Sequence, residues 1–167
     1  MIIVDTREKP RAIVKILEHF DAHGAEYRKE KLEYGDYMIE NGPKISIDRK
    51  QSIAELAKNC TYVNKKMGID EPARFRREMD RAAEDGARLV ILVEQNRYQD
   101  RGEWIQVKDI SDLMRWSSPH TMVRGEKVYR VLYSWRSKWP IDVIFCDKRS
   151  TGRMILEILN SEDNNGK

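Results

Sequence analysis

The 167-residue chain predicts an α/β fold, a mixed central sheet flanked by helices. Three observations carry that expectation. Apolar runs of strand length alternate with segments whose apolar residues recur at helical spacing. One run, Leu89-Val90-Ile91-Leu92-Val93, is continuous, as in a strand buried in the middle of a sheet. Two others flank Asn41-Gly42-Pro43, turn residues that mark a hairpin and so add antiparallel pairs to the sheet.

The elements follow in order. Residues 1–4 form a short buried strand, closed by the polar cluster Asp5-Thr6-Arg7-Glu8. Pro10 stands where a first helical turn tolerates it, Ile13, Val14, Ile16, Leu17 and Phe20 keep helical spacing, and Gly24 is the stop. Residues 25–32 read as an extended, charged segment, and 37–40 and 44–50 as the two arms of the hairpin. Ser52 and Glu55 have capping-box spacing and start a helix. Residues 59–69 read as a loop, after which Asp70-Glu71-Pro72 opens a helix with Phe75, Met79, Ala82 and Ala83 on one side and Gly86 at its end. The continuous strand spans 88–94, and Trp104 to Val107 reads as a short strand or extended connector. Residues 109–117 read as a helix and 121–139 as a longer one ended by Pro140. A buried strand over 141–145 and a helix over 151–160, with Met154, Ile155, Ile158 and Leu159 inward, complete a single domain of residues 1–160. The polar stretch 161–167 is its C-terminal tail.

Composition narrows the class. Hydrophobic residues are 40% and charged residues 35%, an ordinary core under a heavily charged surface rather than a disordered chain. Thirty-one Lys and Arg against 28 acids leave a net charge of +3, too mild to single out nucleic acid by itself. Cys60 and Cys146 lack partners at metal-ligand spacing and fit reduced thiols in the cytoplasm. No apolar run approaches the roughly 18 residues that span a bilayer. The opening strand leaves no room for a signal peptide, so the chain is expected to be soluble and cytoplasmic, with no membrane partner.

The chemistry concentrates in Gly35-Asp36 and Ile45-Ser46-Ile47-Asp48-Arg49-Lys50. Strand alternation turns Ile45 and Ile47 into the core and puts Ser46, Asp48 and Lys50 on the opposite face, the last two roughly 7 Å apart. Asp36, near the start of the preceding strand, faces the far end of the second, so two carboxylates and an ammonium converge. Paired carboxylates bind a hard cation, which polarises phosphate and lowers the pKa of bound water. A lysine beside them orients that water or stabilises charge on the phosphorane, and relieves the repulsion between the acids; lysine rather than arginine suits a role that shares a proton. The pattern points to phosphodiester hydrolysis, though spacing alone does not separate it from a solvated, charged strand edge.

Val4-Asp5-Thr6-Arg7-Glu8, Tyr34-Gly35-Asp36-Tyr37 and Ile47-Asp48-Arg49-Lys50 together resemble the XPF/Hef-type structure-specific endonuclease domain of the PD-(D/E)xK superfamily. That family shows a strand ending in Asp-x-Arg-Glu, then Gly-Asp-Tyr, then an acid-Arg-Lys triplet. The resemblance continues more loosely through 88–94, 129–139 and 143–147, nearly the whole chain. It implies a restriction-endonuclease-like mixed sheet flanked by helices. It also implies a Mg2+- or Mn2+-dependent endodeoxyribonuclease that cuts branched, flap or junction DNA in repair, recombination or replication, as a homodimer. A bacterial or phage source would suit a short nuclease of this type. By position, Asp36 and Asp48 become metal ligands and Lys50 the catalytic lysine. Asp5, Arg7 and Glu8 line the same site, Asp5 as a further ligand, and Arg49 braces the acids from beneath or touches a phosphate.

The chain departs from the pattern in three places. Asp48 stands where the family usually has Glu, shortening that arm by a methylene. Ala54 occupies the place of an Asp four residues after the lysine, and the adjacent Glu55 either substitutes for it or merely caps its helix. The paired helix-hairpin-helix module that commonly follows lies outside these residues, which affects branch selectivity more than cleavage. Elsewhere, Asp5 and Glu8 also suit the N-terminus of the first helix, and His19, His23 and His120 lack paired spacing and read as surface or boundary residues. Glu94 meets either a basic neighbour or the edge of the metal site. Lys65, Lys66, Arg74, Arg76 and Arg77 either contact phosphates or form a solvated face. Trp116, Trp135 and Trp139, with Tyr129, Leu132 and Tyr133, are divided between core and subunit interface. Two other functions fit the same residues: a catalytically inactive DNA-binding module, and a superfamily nuclease that cuts plain duplex or RNA.

Overall fold

The computed structural model describes residues 1–95, 106–118 and 122–161. Six strands form one mixed sheet in the order β2-β1-β3-β4-β7-β8, with β1 Ile2–Asp5, β2 Tyr27–Glu30, β3 Tyr37–Ile39, β4 Ile45–Lys50, β7 Arg88–Gln95 and β8 Ile141–Asp147. The hairpin β3/β4 and the β1/β3 pair are antiparallel, while β1/β2, β4/β7 and β7/β8 are parallel. The sheet is therefore mixed, as the flanking turn residues predict, with Asn41 at φ 54° in the tight connection.

Helices cover both faces. On one, Ile13, Ile16 and Phe20 of α1 (Pro10–Ala22) and Ile155, Ile158 and Leu159 of α5 (Thr151–Asn160) meet Ile45, Ile47, Val90 and Leu92. On the other, α2 (Ile53–Thr61), α3 (Glu71–Glu84) and α4 (Gly125–Arg136) pack on Leu89, Ile91 and Val93. The continuous apolar run of β7 follows directly, since alternate residues feed two separate cores. The same geometry buries all six residues of β4, so the polar face of that strand is interior as well.

Three expectations change. Residues 59–69 are not a plain loop: α2 runs to Thr61, and the short strands β5 (Val63–Asn64) and β6 (Ile69–Asp70) pair around a 3-10 turn at Lys65–Met67. The 109–117 segment is a 3-10 helix, Ile110–Arg115, whose Asp109 cap takes the amide of Ser111 at 2.7 Å. The long helix begins only at Gly125, because Arg124 is extended and bridged to Ser117, and ends at Arg136. Trp104 and Ile105, His120, Thr121 and the tail 162–167 lie outside the described residues. Val107, beside them, is buried, with its amide and carbonyl both held by the Gln95 side chain at 2.9 and 2.6 Å. Trp116 and Trp135 belong to the core. Among the described residues no helix is long and apolar enough to cross a membrane.

Gly125 seats α4 on the 3-10 helix, since a Cβ there would meet the Leu113 carbonyl oxygen at 1.7 Å and that of Trp116 at 2.5 Å. Backbone cannot rotate aside as a side chain does. Gly125→Ala is expected to cost about 2 kcal/mol or more of stability, seen as a lower midpoint in urea unfolding. Gly24→Ala, where nothing lies within 4 Å, should cost about 1 kcal/mol, from its left-handed φ alone.

Candidate active site

The hairpin folds Asp36 against the end of β4. Gly35 takes φ +66°, and a Cβ on it would sit 2.1 Å from Ser46 Oγ, so glycine is required both by conformation and by space. Asp36 is then stitched in through its backbone: its amide donates to Ile47 O at 2.7 Å and its carbonyl accepts from Asp5 N at 2.8 Å. One carboxylate oxygen, Oδ2, accepts from Arg49 N at 2.7 Å.

Asp48 and Lys50 share the face of β4 that looks toward α2 and α3, two residues apart as strand alternation demands. Lys50 Nζ lies 2.5 Å from Asp48 Oδ1 and 4.7 Å above the centre of the Phe75 ring. Burial opposes the Lys50 charge, but Asp48, then Asp36 and Glu78, outweigh it and raise its pKa above the usual lysine range. Asp36 is pushed well above the usual carboxylate range, by burial first and then by repulsion from Asp48 and Glu8. The Asp48 oxygen that faces Lys50, Oδ1, is buried and takes the ammonium as its partner.

A fourth charged group joins them. Glu78 of α3 is buried, accepts from Gly35 N at 2.8 Å through Oε1, and is raised by burial and by Asp48. Sequence reasoning did not single it out. Its signal was there, since Phe75, Met79 and Ala82 define the buried side of α3 and Glu78 falls inside that stripe, where an acid needs a reason.

The opposite face of β4 carries a separate network. Arg49 reaches Glu8 Oε2 through Nε and Nη2 at 3.2 and 2.9 Å, and Glu94 Oε1 through Nη1 at 2.9 Å. Tyr37 also donates to Glu8 Oε2 at 3.2 Å, and Thr151 Oγ1 to Glu94 Oε1 at 2.9 Å. Arg49 thus ties β4 to the segment after β1, to β7 and to α5, beneath the acids rather than among them.

Asp5 is fully committed elsewhere. Its Oδ1 accepts from Arg7 N and Nε at 2.6 and 2.8 Å, and its Oδ2 from Arg7 Nη2 and Leu32 N, both at 2.8 Å. Four donors fill the lone pairs of a buried carboxylate, so the ligand role expected of Asp5 gives way to that of a brace holding Arg7. The Arg7 side chain is 57% exposed and feels Asp36 and Glu78 electrostatically, at the mouth of the cluster. Glu55 is tied to its helix start, with Oε2 accepting from Gln51 N at 2.7 Å and its amide donating to Ser52 Oγ at 3.1 Å. His19 and His23 stack on each other at 4.0 Å, on α1 and just past its end.

The sequence matches the ERCC4 domain over residues 4–158. The chain belongs to the ERCC4 domain family. Among solved structures it is similar to XPF from Aeropyrum pernix, at 17% identity and a TM-score of 0.60, over 98% of this chain and 65% of that one. It therefore spans slightly under two thirds of that chain's length, and the likeness shows the XPF-type nuclease fold. No curated protein matches it in sequence.

Within this ERCC4 domain the Asp5 brace has a pH signature. Burial raises the Asp5 pKa, but the side-chain and backbone hydrogen bonds from Arg7 and that from Leu32 more than reverse it, and the folded value lies below the ordinary 3.8. A lowered carboxylate contributes stability above its unfolded pKa and loses it as pH falls through the folded value. Asp5→Asn should cost about 2 kcal/mol at pH 7. The gap between parent and variant in thermal unfolding should narrow as the buffer drops below about pH 4.

Proposed function

We propose that this domain is a Mg2+- or Mn2+-dependent DNA endonuclease in which Asp36 and Asp48 hold the cation and Lys50 serves the reacting phosphate. The observation that carries this reading is the meeting of Asp36, from the turn before β3, with Asp48 and Lys50 at the end of β4.

The donor set fits the cation. It consists of carboxylate oxygens, the ligands a hard divalent ion takes, crowded enough to hold Asp36 well above its ordinary pKa. Among the described residues no group of three or more acids, histidines or cysteines is arranged to hold a metal. Mg2+ commonly binds one or two carboxylates and takes its remaining ligands from water and substrate phosphate. Bound there, a divalent cation would polarise the scissile phosphate and make an attacking water more acidic.

The chain's own residues supply the rest. Lys50, kept charged by Asp48, donates to a phosphate oxygen or to the attacking water once a cation takes up the Asp48 charge. Arg7, exposed beyond its Asp5 brace, meets a neighbouring phosphate. Arg49 and Glu8 keep the end of β4 from shifting, and Glu78 fixes the Gly35 turn that presents Asp36.

Family likeness supports branched, flap or junction DNA as the substrate, in repair, recombination or replication. A homodimer is supported by Tyr133, 65% exposed on α4 and stacked on Tyr129 at 5.9 Å, and by the unpaired edge of β8. The buried, unpaired thiols Cys60 and Cys146 suit the cytoplasm.

Labelled flap, fork, junction and plain duplex DNA incubated with Mg2+, Mn2+ or EDTA test the reading. Cutting should require the metal, favour branched substrates, and fall on the order of 10²–10⁴-fold in Asp48→Asn and Lys50→Ala, with binding retained. Binding without cutting by the parent protein would sink the enzyme in favour of an inactive module. Mg2+ should also raise the melting temperature, less so in Asp36→Asn. That rise should shrink in acid, because Asp36 holds a proton there that the cation must displace.

A further inference from the structure

A groove of about 490 Å³ runs along α4 and reaches α3, and no role in the proposed hydrolysis falls to it. Its rim is basic: Arg76 comes from α3, Lys127 and Arg130 from α4, and Lys138 from just past the end of α4, with Trp139 beside it and buried Cys60 below. Lys127, Arg130, Ser134 and Lys138 are spaced i, i+3, i+7 and i+11, so they line one side of the helix over about 16 Å. Tyr129 and Tyr133 fall outside this stripe, so the groove is separate from the tyrosine surface.

These charges are available. Arg130 pairs with Glu126 at 2.6 Å, but among the described residues no carboxylate pairs with Arg76, Lys127 or Lys138. The other acid close by, Asp80, is occupied by Trp139, whose Nε1 donates to it at 2.8 Å and fixes the indole at the groove wall. Elsewhere in the chain Arg7, Arg28, Arg49 and Arg74 are held in ion pairs. Three cations with no carboxylate partner among the described residues thus share one groove with an aromatic wall.

Cations that track phosphates beside a ring that stacks on a base are the elements by which proteins hold a single nucleic-acid strand without reading its sequence. A groove of this size has room for a nucleotide but not for a duplex within it. Inside the domain, two buried rings connect the groove lining to the acid cluster. Phe75 lies under Lys50 Nζ at 4.7 Å on one side and stacks on Trp135, part of the groove lining, at 5.5 Å on the other. We propose that the groove holds a single-stranded stretch of DNA, with Arg76, Lys127 and Lys138 on its phosphates and Trp139 against a base. The choice of DNA rests on the endonuclease reading; the strand-binding chemistry does not. In a branched substrate, this is an unpaired arm.

Fluorescence anisotropy with labelled oligothymidylate and with a blunt duplex, both in EDTA so that nothing is cleaved, tests the groove. The double variant Lys127→Gln/Lys138→Gln should bind oligothymidylate at least tenfold more weakly, with the salt dependence of log K shallower by about 1.4, two single-strand contacts' worth. Its duplex affinity and melting curve should match the parent. Oligothymidylate should quench the parent's tryptophan fluorescence, and Trp139→Leu should remove most of that quenching. Unchanged oligothymidylate affinity in the double variant, an equal loss for duplex, or thymidine monophosphate binding as tightly as the oligomer would each overturn the proposal. Intact groove binding in a parent that cuts nothing with Mg2+ defeats the nuclease reading alone, and metal-dependent cutting with an inert groove defeats the groove alone.

Discussion

Crowding of like charge at the end of β4 is the constraint around which the rest of the domain is arranged. Asp36, Asp48 and Glu78 stand together in the interior, and beyond burial the Asp48 carboxylate makes both of the others harder to ionise. Lys50 offsets this. Opposite charges about 4 Å apart attract by about 4 kcal/mol at an effective dielectric near 20, enough to keep the ammonium protonated despite its burial. The Arg49 amide on Asp36 and the Gly35 amide on Glu78 supply the remaining compensation through fixed dipoles, which need no reorganisation. Such a cluster is poorly satisfied by protein alone, the condition under which an external cation gains most by binding.

Strand alternation separates two tasks along three consecutive residues. Asp48 and Lys50 face the acid cluster, and Arg49 between them faces Glu8 and Glu94 on the other side. Burying an ion triad contributes little net stability compared with apolar packing, yet breaking one is costly because it strands the partners. The Arg49 network therefore matters less as a source of free energy than as a lock. It ties the end of β4 to β7, to α5 and to the segment after β1, so the positions of Asp48 and Lys50 are set by three other elements at once.

The parts of this arrangement that depend on local period were legible in the sequence. The spacing of Ile45, Ile47, Asp48 and Lys50 gives the faces of β4, and Asn41-Gly42-Pro43 gives the turn that brings Asp36 back to it. What depended on contacts between distant segments was not. Nothing local to Asp5 reveals that Leu32, 27 residues on, donates the bond that completes its shell. Glu78 was visible only as an acid on an apolar helix face, and its partner Gly35 lies 43 residues away. The 109–117 segment carries helical spacing, but Asp109 and Asp112 close a capping box over a run too short for more than 3-10 geometry. The basic groove combines residues of α3 and α4 that no periodicity links.

Ala54 shows how these elements act together. The family's acid at that place would project from the first turn of α2, where the neighbouring Glu55 has one carboxylate oxygen on the Gln51 amide. Glu78 brings negative charge to the same cluster from α3, close enough to raise with Asp48 and to support the Lys50 charge. With one oxygen on Gly35, it acts on Asp36 through the turn as well as through the field. A carboxylate on a packed helix also moves less than one on a helix end, where the first turn frays. Glu78 thus adds a carboxylate to the cluster from a packed helix, and it couples the cluster to the helix whose Arg76 lines the basic groove.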